Sequence, residues 1–170
     1  MLYAGRQTRT KDLVTQDQLT GAAAPLLMHV ADQKATGSAS GTASASNWDL
    51  RDLNTIIVNQ IQGASLSGLT ISLPTGNYYA EAFSVFGNTA NTNCRLFNVT
   101  SGLALINGLN GSGSSTGNST VSVQGYFSLT AQSSIRLQYN GGNTGATLGV
   151  PKNYSGLSEK YSEVFIWKLS

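Results

Sequence analysis

Tyr161-Ser162-Glu163-Val164-Phe165-Ile166-Trp167-Lys168-Leu169 reads as a β-strand. Its side chains alternate between two faces. Tyr161, Glu163, Phe165, Trp167 and Leu169 fall on one, and Ser162, Val164, Ile166 and Lys168 on the other. Both faces are apolar through the middle of the stretch. An antiparallel strand with a solvated side alternates apolar and polar residues, so this one predicts cover on both sides.

A second stretch has the same character. Tyr78 to Phe86 places Tyr78, Ala80, Ala82 and Phe86 on one face and Tyr79, Phe83 and Val85 on the other. Other strands are expected at Leu26–Val30, Thr55–Asn59, Leu66–Leu73, Asn93–Val99, Leu103–Asn107, Val121–Leu129 and Ile135–Tyr139. In Val121–Leu129, apolar 121, 123, 127 and 129 alternate with Ser122, Gln124, Tyr126 and Ser128, the pattern of one buried face. Asn47 to Ile61 also admits a helical reading, but its Thr-Ile-Ile-Val run favours a strand. Between strands lie turn signals: Pro74-Thr75-Gly76-Asn77, Thr100-Ser101-Gly102, and Gly/Asn/Ser loops at 87–93, 108–119 and 140–147. Gln33 to Ser46 reads as a long loop anchored by Trp48. Eight to ten short strands without a convincing long helix or a tandem repeat predict an all-β sandwich or barrel.

The 170 residues suffice for one domain at 25–170 with a core, preceded by an extension at 1–24. That extension has few large apolar residues and no sustained period. Leu2 and Tyr3 at its tip, with Arg6, Arg9 and Lys11, suit an arm that orders by docking on a partner; a disordered end is the plain alternative. Charged residues make up 11% of the chain, against roughly 25% in an ordinary domain. A net charge of +2 argues against nucleic acid or an anionic membrane as partner. No acid lies between Glu81 and Glu159. The single cysteine, Cys94, excludes an intrachain disulfide and reads as a buried thiol. No run reaches the roughly 18 apolar residues of a membrane helix, and the start lacks the apolar middle of a signal peptide. The sequons at Asn98, Asn118 and Asn153 read as products of an Asn/Ser/Thr-rich chain.

The residues offer little catalytic material. His29 is the one histidine, set between Met28 and Val30 in a strand, and its expected role is structural. No Cys/His spacing suits zinc, and Asp49-x-x-Asp52 does not match a calcium loop. Gly111-Ser112-Gly113 is no phosphate loop, because no Lys follows. Carboxylates for sugar hydrolysis would come from Glu81, Glu159, Glu163, Asp49 or Asp52. Glu81 and Glu163 sit on the two doubly apolar strands and are expected to form interface salt bridges, with Arg95 or Arg136 as partners. Neither cofactor nor metal is implied. The Gly/Asn/Ser loops carry amide and hydroxyl groups suited to a glycan.

Four phrases then recur in order: Leu73-Pro-Thr-Gly-Asn-Tyr-Tyr-Ala-Glu-Ala82, Arg95-Leu-Phe-Asn-Val-Thr-Ser-Gly-Leu-Ala-Leu105, Gly125-Tyr-Phe-Ser-Leu-Thr-Ala-Gln-Ser-Ser-Ile-Arg-Leu-Gln-Tyr139 and Glu163-Val-Phe-Ile-Trp-Lys-Leu169. Together they resemble the C1q/TNF-like jelly-roll module of bacteriophage virion proteins, over roughly Gln60 to Ser170. The resemblance implies a ten-stranded jelly-roll sandwich forming a homotrimer. The first, third and last strands would belong to an inner sheet that packs on the sandwich core with one face and on neighbouring subunits with the other. Tyr78, Tyr79, Phe83, Phe86, Val164, Phe165, Ile166, Trp167 and Leu169 would then divide between core and trimer interface. It further implies a non-enzymatic virion protein made in the host cytoplasm: a capsid cement or decoration protein, or a head fibre. Its arm would dock on major capsid or tail proteins. The alternative is the receptor-binding tip of a tail fibre that recognises a host surface glycan.

Overall fold

A computed structural model describes residues 24–44, 47–88, 91–112, 117–141 and 146–170. Residues 1–23 of the expected arm, with Leu2, Tyr3, Arg6, Arg9 and Lys11, lie outside the described residues. Eleven strands are described: β1 (Leu26–Lys34), β2 (Asp49–Leu50), β3 (Thr55–Asn59), β4 (Ser65–Ser67), β5 (Thr70–Leu73), β6 (Gly76–Gly87), β7 (Thr92–Asn98), β8 (Leu103–Asn107), β9 (Asn118–Leu129), β10 (Ser133–Gly141) and β11 (Glu159–Lys168). They form two antiparallel sheets, one in the order β3-β1-β11-β6-β9 and the other β4-β5-β10-β7-β8, with β2 added to β10. The chain crosses repeatedly between them, and the first and last strands pair side by side, Leu26 opposite Lys168 and Val30 opposite Val164. This is the expected jelly-roll sandwich; the first and last strands share one sheet with β6, the second doubly apolar strand, whereas the third expected strand, Leu66–Leu73, lies in the other sheet.

Alternation sets the core. Met28 and Val30 of β1, Tyr78, Ala80, Ala82 and Phe86 of β6, Val121 and Val123 of β9, and Val164 and Ile166 of β11 all point inward. Ile71 and Leu73, Cys94 and Leu96, and Ile135, Leu137 and Tyr139 meet them from the second sheet. Burying such side chains supplies the main drive to fold.

Three boundaries differ from expectation. Leu66–Leu73 is not one strand: Gly68, at φ +48°, turns it into the β4–β5 hairpin, because glycine accepts a positive φ without steric cost. The first strand runs on to Lys34, where the register shifts at Asp32/Gln33. Its polar end is stabilised by the buried Asp32, which accepts hydrogen bonds from Ser40 Oγ (2.9 Å) and Asn54 Nδ2 (3.2 Å) and lies 3.2 Å from Lys34 Nζ. The expected Gly108 tip is tied down at its start. Gly108 N–H donates to the Cys94 carbonyl (2.8 Å), and a Cβ there would lie 2.5 Å from the Ser122 carbonyl oxygen.

One carboxylate pins the loop before β11. Glu159 accepts backbone N–H bonds from Asn153 (2.8 Å), Lys152 (3.2 Å) and Gly37 (3.3 Å). The Asn153 and Lys152 bonds chiefly hold its pKa below the usual value of 4.5. A depressed folded-state pKa contributes stability that is present above the unfolded value and lost as pH falls through the folded one. A Glu159→Gln variant should therefore have a lower urea midpoint than the parent at pH 7. The difference should shrink below pH 4.5 and vanish once the folded carboxyl is protonated.

Candidate functional site

The outer face of the β3-β1-β11-β6-β9 sheet carries a row of aromatic rings. In β11, Val164 and Ile166 face the core, whereas Phe165 and Trp167 face out. In β6, Tyr78 and Phe86 are core residues, and Tyr79, Phe83 and Val85 face out with Glu81. Cross-strand register brings these side chains together. Phe165 lies opposite His29 on one side and Glu81 on the other, and Trp167 opposite Leu27 and Tyr79. The His29 ring stacks on Phe165 with centroids 3.9 Å apart. Phe165 and Trp167 are 5.9 Å apart, Trp167 and Tyr79 5.8 Å, and Tyr79 and Tyr126 4.8 Å. Phe83 meets Phe165 edge-on at 6.4 Å. The row thus spans β1, β11, β6 and β9. Its members are only half-buried in the single chain, Tyr126 is 74% exposed, and Leu169 beyond its end is 43% exposed.

The polar groups of this face are arranged around the rings. Glu163 Oε2 lies 3.1 Å from both His29 Nε2 and Lys160 Nζ. Glu81 accepts a hydrogen bond from the Tyr79 hydroxyl (3.0 Å), which raises the pKa of that phenol. Glu81 and Glu163 do share one face of adjacent strands, as expected, but neither Arg95 nor Arg136 is their partner. Both arginines sit on the other sheet. Arg136 Nε donates to Thr70 Oγ1 (2.9 Å), and Arg95 Nε to Gln138 Oε1 (2.8 Å). Sequence alternation locates a residue on a face, but does not say which sheet the strand joins.

The other carboxylates considered for catalysis are held in place. Asp52 pairs with Lys34 (3.0 Å), and Asp49 accepts from Ser44 Oγ (2.7 Å), a bond that lowers its pKa. Among the described residues no three His, Cys, Asp or Glu side chains converge as a metal site would need. Cys94 is fully buried, and burial pushes its thiol pKa up to about 11, the reverse of a nucleophile's requirement.

Two features were not read from the sequence. Arg51 is completely buried. Its Nη2 donates to the carbonyls of Leu148 (3.0 Å) and Tyr161 (2.9 Å), and its guanidinium lies 5.0 Å from the Phe86 ring centroid. Burial lowers its pKa. The second feature is a cavity of about 460 Å³ on the outer side of the second sheet, lined by Trp48, Asn91, Thr92, Asn93, Asn110, Gly111 and Asn140. It is where amides of the Gly/Asn loops meet the aromatic residue that precedes β2. The only sequence signal was the excess of Asn at three separate strand ends.

Solved structures share this architecture. Murine APRIL at pH 8.0 is 14% identical with a TM-score of 0.58, over 85% of this chain and 99% of that one. The TNF protein Eiger from S. frugiperda is 14% identical with a TM-score of 0.57, over 87% and 94%. The globular domain of the zebrafish complement 1qA protein is 12% identical with a TM-score of 0.55, over 87% and 98%. At these identities the likeness shows the fold: a TNF/C1q-like jelly roll. No family model and no curated sequence matches the chain.

Proposed function

We propose that this chain is a non-enzymatic structural protein of a bacteriophage virion. Three copies associate through the outer face of the β3-β1-β11-β6-β9 sheet, and the N-terminal arm docks on capsid or tail proteins. The protein then serves as a capsid cement or decoration protein, or as a short head fibre. The observation that carries self-association is the aromatic row His29–Phe165–Trp167–Tyr79–Tyr126, half-covered in the single chain. A contiguous apolar patch of this kind marks an interaction surface. A second copy is the favoured occupant, and the rings carry the contact: the polar groups beside them, Glu163 with His29 and Lys160, and Glu81 with Tyr79, are already partnered within one chain. In a three-fold ring one side of the patch meets the other side of the next copy. The virion assignment rests on the four sequence phrases in their shared order.

The test is oligomeric state together with incorporation. The full chain should sediment as a trimer at micromolar concentration. It should be present in purified particles at a symmetry-related copy number. Deleting residues 1–24 should leave the trimer intact and abolish incorporation. A monomer overturns the self-association, and retained incorporation overturns the docking arm. A receptor-binding tip is the second reading, favoured by the amide-lined cavity. On that reading the purified protein binds host cells and blocks infection.

A further inference from the structure

The cavity at the loop end of the second sheet is built from residues that recognise sugars by general chemistry. Asn93 and Asn140 face each other across the β7–β10 pair. They share the outward alternation of Arg95 and Gln138, while Cys94 and Tyr139 between them point into the core. Thr92 and Gly111 exchange two backbone hydrogen bonds of 2.8 Å, which fix the wall carrying Asn110. Asn93 Nδ2 donates to Asn110 Oδ1 (2.6 Å) and to the Gly108 carbonyl (3.3 Å). These bonds orient both amides in advance. Asn93 Oδ1 and Thr92 Oγ1, both buried, have no hydrogen-bond partner among the described residues. Both atoms are shut away from solvent, so the hydrogen-bonding groups open to the cavity are those of the exposed Asn110 and the half-buried Asn140.

Trp48 completes the cavity, and its position is also set. The Arg95 guanidinium lies 4.0 Å from the indole centroid and 4.5 Å from that of Phe97. The Tyr139 hydroxyl accepts from Ser44 N–H (3.0 Å) and donates to Asp49 (3.4 Å), and Asp49–Leu50 pairs with β10 immediately after Trp48. An indole held in this way presents a fixed apolar surface. Among the described residues that line the cavity none is charged.

We propose that this cavity binds one neutral pyranose unit of a glycan. The C–H face of the sugar would lie on Trp48, and its hydroxyls would exchange hydrogen bonds with Asn110 and Asn140. A purely apolar ligand would strand the amides, and the Arg95 guanidinium beside the indole already donates through Nε to Gln138 (2.8 Å). The site lies on the side of the sandwich away from the aromatic row and is made from one chain. It therefore stands or falls separately from self-association.

The experiment is a side-chain NMR titration of the isotope-labelled full chain with the methyl glycosides of glucose, galactose, mannose and N-acetylglucosamine. For a monosaccharide of about a dozen heavy atoms the dissociation constant should be on the order of 1 mM. At least one glycoside should shift the Trp48 indole N–H and the Asn110 and Asn140 amides saturably, leaving Trp167 unmoved. Trp48→Ala should weaken binding by about ten-fold or more, as expected for loss of a stacking surface. Asn140→Ala, at a surface position, should weaken it without disturbing the fold. The monomeric Phe165→Glu variant should bind like the parent. Titrations that fail to saturate these signals, shifts centred on Trp167, or binding unchanged in Asn140→Ala would each overturn the proposal.

Discussion

Phe165→Glu should sediment as a folded monomer at concentrations where the parent chain is a trimer. Phe165 is the centre of the aromatic row, in contact with His29, Trp167 and Phe83. It faces away from the core, and its neighbours Val164 and Ile166 supply the inward contacts of β11. The single chain therefore tolerates a charge there, and its β-sheet circular dichroism should be unchanged. The assembly does not. Each subunit forfeits the burial of one large apolar side chain, worth roughly 1.5–3 kcal/mol. A carboxylate shut away from water without a partner adds a cost of several kcal/mol. Together these predict an association constant lower by at least about 1000-fold. Tyr126→Ala is the matched comparison. Tyr126 is 74% exposed on β9, the edge strand of the sheet, and its loss should weaken association far less. A trimeric Phe165→Glu protein would falsify the assignment of this face, and sedimentation velocity decides it.

That face was legible in the sequence because strand alternation is a strict two-residue code. Alternation alone separates Phe165 and Trp167 from Val164 and Ile166, and Tyr79 and Phe83 from Tyr78 and Phe86. What alternation cannot supply is a direction. Nothing in Glu-Val-Phe-Ile-Trp says which set turns inward, since both are bulky. Packing settles it: Val164 and Ile166 fit opposite Val30, Ala82 and Ala80 in tight cross-strand register, whereas the larger rings lie where space is open. Sheet membership was equally hidden. In a linear reading Arg95 and Arg136 are available to Glu81 and Glu163, because the sequence does not reveal that β7 and β10 lie across the sandwich. The cavity was half visible. The loops carrying Asn91, Asn110 and Asn140 were distinct in composition, but their convergence on Trp48 depends on contacts distant in sequence, such as Thr92 with Gly111 and Asp49 with Tyr139. The loop before β11 gave no warning that Glu159 would hold it.

Arg51→Ala should be among the most destabilising single substitutions in the chain, by about 4 kcal/mol. Arg51 stands in the charged stretch Asp49-Leu50-Arg51-Asp52, yet it is the largest fully buried side chain among the described residues. Its removal acts in two ways. The vacated volume beside Phe86 and Tyr139 leaves a cavity, and large-to-small core substitutions cost roughly 2–5 kcal/mol. The carbonyls of Leu148 and Tyr161 lose their donor, and a buried acceptor left unpaired costs about 1–3 kcal/mol. Relief of the buried charge offsets part of this sum, because burial already disfavours the protonated guanidinium. For a chain of this size the net loss corresponds to a fall in Tm of roughly 8–16 °C. Arg51→Met separates the contributions: it refills most of the volume and removes the charge, but still leaves both carbonyls without a donor. It should recover no more than about half of the loss, on the scale of those unpaired acceptors. Full recovery in Arg51→Met would mean that the guanidinium serves only as filler. Urea unfolding of the three proteins, followed by tryptophan fluorescence, distinguishes the cases. The hydrogen bonds of Arg51 join residue 148 to residue 161 across the end of the sandwich. The Arg51→Ala protein should therefore lose protection from amide hydrogen exchange first in 146–158, while β6 and β9 exchange only with global unfolding.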